Sequence, residues 1–186
     1  MKISVDASEL LKSLEEAKQK IKNKLEFMVQ EVVYDTLAVP AIDITPYGDL
    51  NKYYQMYVYR QNTYGFPLSA GLAKGGWNVR TSPGSLGSGG SMNTASPTFG
   101  IMAGMQVDTE SGSLSKSRIQ AQLDYYKLGN PVIVYNRIPY VSKSFGLGKS
   151  LESGYSPQAP QGIWNPTIDT FMGLYKTVMQ RALSNV

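Results

Sequence analysis

Residues 131–167 read PVIVYNRIPYVSKSFGLGKSLESGYSPQAPQGIWNPT. The run opens on Val132-Ile133-Val134-Tyr135, four apolar or β-favouring residues that predict a short buried strand. Asn136 ends the run, and Ile138-Pro139-Tyr140 turns the chain. A small-residue stretch and then Leu151-Glu152-Ser153-Gly154-Tyr155-Ser156 follow. Pro157 and Pro160 lack amide donors and push their predecessors toward extended backbone, so 157–162 is neither helix nor sheet interior. Asn165-Pro166 starts a helix. A strand, a stiff connector and a helix start in so few residues form a fixed surface loop on a mixed domain.

Outward from this stretch the chain is mostly helical by pattern. Residues 6–37 predict one long helix, with apolar residues at Leu10, Leu14, Ala17, Ile21, Leu25, Met28 and Val32 in steps of three and four. Asp6 or Ser8 is its cap, Glu9 lies in the first turn, and Pro40 is expected to end the helical region. Its polar face carries Lys12, Lys18, Lys20, Lys22 and Lys24 with Glu15, Glu16 and Glu26. Two readings stand: a solvated face with i,i+4 ion pairs, or a basic face toward DNA or a partner. Ser113–Leu128 predicts a second helix, capped by Ser111 or Ser113 and stopped at Gly129. Pro166–Ser184 predicts a third, with Asn165 as N-cap, Asp169 in the first turn, and a stripe through Ile168, Phe171, Met172, Tyr175, Val178, Met179 and Ala182.

Three stretches interrupt the helices. Thr45-Pro46-Tyr47-Gly48-Asp49 is a turn. Residues 50–70 hold Tyr53, Tyr54, Tyr57, Tyr59 and Tyr64, with Tyr57-Val58-Tyr59 as a candidate strand; they read as an aromatic hairpin over the core or as a contact surface. Trp77 is expected to open a core strand after the glycines of 71–76. Residues 81–107 contain no charge and are rich in Gly, Ser, Thr and Met, so 81–112 reads as a flexible loop. It orders only against a neighbouring protein, or else forms a settled hairpin with Phe99–Val107 as a strand. The whole chain reads as one α+β domain, its long N-terminal and C-terminal helices packed on a small, mainly antiparallel sheet with long loop insertions.

Composition excludes several classes. The chain has 186 residues, a net charge of +4 and 42% hydrophobic residues, enough for a single core. It has no cysteine and no histidine. That removes disulfides, thiolate and imidazole metal sites, and Ser-His or Cys-His catalysis. Carboxylate pairs such as Asp43 with Asp49, or Glu152 with Asp169, are formally open, but nothing in the sequence makes them meet. We therefore expect no enzyme activity and no cofactor. No apolar run reaches the ~20 residues of a membrane span, and the N-terminus carries no apolar signal-like segment.

The blocks Asn136-x-Ile138-Pro139-Tyr140 and Leu151-Glu152-x-Gly154-x-Ser156-x-Gln158-Ala159-Pro160-x-Gly162, closing on Pro166-Thr167, resemble the signature of the neck or tail-completion proteins of tailed bacteriophages, of the minor tail protein Z type. Thr45-Pro46, Gly71-Leu72 and Trp77 resemble that family's second block, which runs almost contiguously there and is split here by the tyrosine-rich segment. Residues 143–150 are inserted or altered, and Asn165 stands where the family has arginine, so no role of that arginine carries over. The resemblance implies a structural virion protein at the head–tail junction, assembled in the host cytoplasm. It implies a homomeric ring, six-fold or else twelve-fold, between portal or adaptor proteins and tail-terminator or tail-tube proteins. The subunit or partner interface would be Asn136, Pro139, Tyr140, Leu151, Glu152, Gly154, Ser156, Gln158, Pro160 and Gly162. Lys18, Lys22 and Arg118 are the candidates for facing phage DNA in the lumen. The contrasting expectation is a non-viral adaptor whose tyrosine-rich surface binds a peptide or glycan.

Overall fold

The computed structural model describes residues 7–64, 69–82, 107–136, 138, 141 and 158–184. The fold is α+β. Helix α1 spans Ala7–Val33, a π-helical turn spans Tyr34–Ala38, and α2 spans Val39–Ile44. After a turn come α3 (Tyr54–Tyr64), the single-turn α4 (Leu72–Gly75) and strand β1 (Trp77–Arg80). Helix α5 (Ser113–Leu123), strand β2 (Ile133–Asn136) and α6 (Trp164–Ser184) complete it. The two strands pair antiparallel, Trp77 opposite Asn136 and Val79 opposite Val134.

Pro40 does not end the first helical region, as the sequence suggested; it is built into it. In the π-turn the Val39 amide reaches back five residues to the Tyr34 carbonyl. The α-ladder is thereby broken and restarted, and Pro40 falls in the first turn of α2, where no intrahelical donor is required. The continuation carries the core: Ala38, Ala41 and Ile42 are wholly buried. They cluster with Leu72, Trp77 and Val79 from the middle of the chain, Ile119 and Leu123 from α5, and Ala159 and Ile163 ahead of α6.

Among the described residues the sheet has two strands, and α5 finishes its outer edge. Gln122 accepts the Val79 amide at 2.8 Å, and the Arg118 guanidinium donates to the Trp77 carbonyl at 2.7 Å. A backbone edge that would otherwise face water or another strand is thus satisfied by side chains. The terminal helices pack mainly on each other and on the π-turn and α2. Trp164 at the start of α6 meets Trp77 edge-to-face at 5.5 Å, while Arg181 near its end pairs with Asp35, so α6 runs antiparallel to residues 35–45.

Three further boundaries differ from the sequence reading. Tyr57-Val58-Tyr59 lies in α3, not in a strand; only Tyr57 among them is buried, and a Cβ on Gly48 would overlap its hydroxyl. Helix α5 stops at Leu123, and 124–130 is a turn with Gly129 at φ +93°. Helix α6 starts at Trp164, so Asn165 lies inside its first turn instead of capping it, and Asp169 falls beyond that turn. The expected loop 81–112 is only partly within the described residues: its end, 107–112, is built into the fold, with Asp108 2% exposed.

Candidate functional site

The blocks that are scattered in sequence meet around one buried junction. Thr45 ends α2; its hydroxyl donates to the Ala41 carbonyl at 2.6 Å and accepts the Trp77 indole N–H at 2.8 Å. The tyrosine-rich segment follows Tyr47, and beyond it Gly71 rejoins the same place, its amide donating to the Tyr47 carbonyl at 2.7 Å. The interruption of that block in sequence is therefore closed in space. Gly71 has φ +79°, and a Cβ there would overlap the Asp108 carbonyl, so the closure requires glycine.

Asn136 ties the sheet to this junction. Its Nδ2 donates to the Ala73 carbonyl at 2.8 Å and its Oδ1 accepts the Ile138 amide at 2.9 Å. Gly76 lies so close that a Cβ would overlap the same Oδ1. Asn136, proposed from sequence as an interface residue, thus directs its amide group inward. Residues 158–162 form a turn in which the Gly162 amide donates to the Ala159 carbonyl at 3.0 Å and Gly162 adopts φ +75°. Ala159 and Gly162 are buried, Gln158 is half-buried, and Pro160 and Gln161 point outward. Pro139, Tyr140, Leu151, Glu152, Gly154 and Ser156 lie outside the described residues.

A second network lies between α2, α4 and α5. The Asp108 carboxylate accepts the amides of Thr109, Leu114 and Ser115 at 2.7, 3.0 and 2.7 Å, so Asp108 closes the start of α5 in place of Ser111 or Ser113. Burial pushes this carboxyl up, but the Ser115 amide and hydroxyl with the Leu114 and Thr109 amides outweigh it and hold it below the usual carboxylate value. Lys74, only 4% exposed, donates to the Ile42 carbonyl at 2.8 Å, at the end of α2. Burial pushes its ammonium down, with Asp43 opposing. Arg118 donates from one nitrogen to the carbonyls of Gly75 and Trp77 and to the Ser115 hydroxyl. It is a half-buried cation of the junction, its guanidinium held by protein acceptors, whereas the sequence marked it as a candidate for facing DNA.

The other two DNA-facing candidates stand on α1. Lys18 and Lys22 are exposed, and Lys18 pairs with Glu15 at 3.4 Å one turn away, as on a solvated face. On that same polar face Glu26 behaves differently. It is 7% exposed and accepts the Leu128 amide at 2.9 Å, which together with Lys127 holds its carboxyl below the ordinary value. The sequence patterns marked neither Lys74 nor Asp108 and placed Glu26 only on the polar face of the first helix; Lys74 and Glu26 bond to Ile42 and Leu128, remote in the chain, and Asp108 bonds across the turn that leads into α5. The one legible hint was Asp108 as the first charge after a long uncharged run.

Of the carboxylates considered, Asp43 and Asp49 each have a different partner, and Glu152 lies outside the described residues. Asp43 pairs with Lys116 at 2.6 Å, whereas Asp49 accepts the Lys52 amide at 3.0 Å. Among the described residues no group of three acidic side chains could hold a metal ion, and no helix is long and apolar enough to cross a membrane. Compared with known protein families, with curated proteins and with solved structures, the chain matches none.

Proposed function

We propose that this protein is a structural virion component of a tailed bacteriophage, forming a ring at the head–tail junction that joins the portal or connector to the tail or completes the tail end. The observation that supports the reading most is the convergence of the family-like blocks. Thr45, Gly71, Trp77 and Asn136, dispersed over 92 positions of sequence numbering, are joined by direct hydrogen bonds to one another or to the short helix α4 between them. In this chain the letters that carry the resemblance are also residues that hold one buried junction together. In this reading the work is done by shape and contact, without chemistry or cofactor, and the ring's neighbours are portal or adaptor proteins on one side and tail-terminator or tail-tube proteins on the other. Lys18 and Lys22 are the cations available for non-specific contact with DNA.

Native mass spectrometry and negative-stain imaging of the purified full chain test this. A homomeric ring, six-fold by the resemblance, is expected. A strict monomer in solution, together with no ring density in averaged particles, would overturn it. The adaptor reading draws on Tyr54 and Tyr59, both exposed on α3. It would replace the ring if the monomer bound peptide or glycan and Tyr54→Ala abolished that binding.

A further inference from the structure

Two apolar faces remain uncovered among the described residues, and they lie on different helices. The first is on α1. Its stripe is half-buried at Leu25, Met28 and Val32, within a subunit where α6 packs along this helix. The same stripe continues toward the N-terminus with unchanged spacing, yet Leu10, Leu14 and Ile21 are 54, 57 and 59% exposed. Only the cover stops. Residues 7–24, every one exposed, form an arm about 27 Å long at ~1.5 Å per residue.

The second face is on α6. One side of this helix buries Thr167, Val178 and Ala182 in the subunit. Ile168, Met172 and Leu183 lie on an adjoining side and are 50, 63 and 54% exposed. Their spacings of four and eleven keep them on one stripe of the helix. Both open stripes are roughly 17–22 Å long by helical rise.

We propose that the arm of one subunit lies along the outer stripe of α6 of a second copy, so that the contact between α1 and α6 inside each subunit is continued from one subunit to the next. This rests on the ring reading and deepens it by assigning the two faces. A closed ring needs two different surfaces on each subunit, and the arm and α6 offer two different exposed apolar ones. Charge selects between the two open stripes as occupant. The arm carries Lys12, Lys18, Lys20, Lys22 and Lys24 against Glu9, Glu15 and Glu16, so arm against arm brings two basic helices together. Helix α6 carries only Asp169, Lys176 and Arg181 and repels the arm less. A single helix stripe covers a few hundred Å², below the ~800 Å² per partner of a stable pair. One such contact is therefore weak alone, and ring closure, in which every subunit uses both faces, is what makes it persist.

The absence of cysteine makes the test direct. Full-length Ala17→Cys and Met172→Cys chains are mixed under assembly conditions and treated with a short bismaleimide. The mixed pair should crosslink several-fold more than either variant alone, and Leu14→Glu should abolish both crosslink and ring without lowering the melting temperature of the subunit, because Leu14 is exposed within it. Self-crosslinking of Ala17→Cys at equal or higher yield would overturn the proposal in favour of arm-on-arm pairing. Rings without the mixed crosslink would overturn this contact and leave the ring reading standing; absence of both would remove both.

Discussion

The Trp77 indole N–H and the Thr45 hydroxyl meet at 2.8 Å, and both residues are at most 1% exposed. One hydroxyl therefore both satisfies a buried indole and closes the end of α2, since it also donates to the Ala41 carbonyl. Thr45→Val keeps the shape and removes the acceptor. The stranded N–H should cost about 1–3 kcal/mol, read as a lower urea midpoint at unchanged slope. Thr45→Ser should recover most of the loss, and a Thr45→Val protein as stable as the parent would contradict this account.

Gly71 and Gly129 separate backbone strain from crowding. Both have positive φ, +79° and +93°, but a Cβ on Gly71 overlaps the Asp108 carbonyl and one on Gly129 meets nothing within 4 Å. Gly129→Ala should carry only the left-handed backbone cost, roughly 1 kcal/mol. Gly71→Ala must also displace backbone at Asp108 and should lower the melting temperature clearly more. Equal effects would mean that Gly71 closes only loosely on Tyr47 and Asp108.

Acid should loosen the start of α5. With the Asp108 carboxyl held below its unfolded value, its stabilising contribution is full above the unfolded pKa, near 4. That contribution is lost as pH falls through the lower, folded value. Glu26 acts with the same sign. Asp108→Asn should flatten the fall in stability below about pH 4. Asp108→Ala should cost about 1–2 kcal/mol at neutral pH, in the range of a lost helix cap. Stability curves between pH 2 and 7 check both.

Arg118 and the arm lysines should behave oppositely. Arg118→Ala removes three hydrogen bonds from a charged donor and should destabilise by about 2–3 kcal/mol while leaving any retention of DNA unchanged. Lys18→Glu with Lys22→Glu should leave the melting temperature nearly unaltered, both being exposed. If the subunit contacts DNA at all, that double variant should weaken it and reduce the salt dependence. Denaturation and gel-shift measurements on the same preparations distinguish the two classes.

The long helices were legible because each repeats one apolar spacing over several turns; the short apolar run marked a strand, but it runs Ile133–Asn136, is half-buried, and includes the Asn136 expected to end it. Trp77 declared itself as core by size. Tyr57-Val58-Tyr59 misled because aromatic and β-branched residues favour strands, whereas docking Tyr57 over Gly48 needs only one buried side chain from a helix. Pro40 misled because a π-turn is invisible to a periodicity sought at 3.6 residues. The junction was half legible: its letters could be marked, but nothing local reveals that Tyr47 and Gly71 meet. Lys74 and Asp108 escaped altogether, since a buried charge is justified only by acceptors or donors that the chain delivers from more than thirty residues away or through a turn.

The π-turn at Tyr34–Ala38 has a consequence for direction. It inserts one residue beyond the α-helical repeat, and one residue corresponds to about 100° of rotation about the helix axis. The rotation of α1 relative to α2 is therefore set by five residues near the core, where Thr36 and Ala38 are buried, and it matches the packing of α1 on α6. Deleting a single residue there would set the helical repeat against the packing of α1 on α6, and the arm's leucines would turn as far as that packing yields, without one of them being altered. An assembly that depends on where those leucines point has its geometry written at the base of the arm.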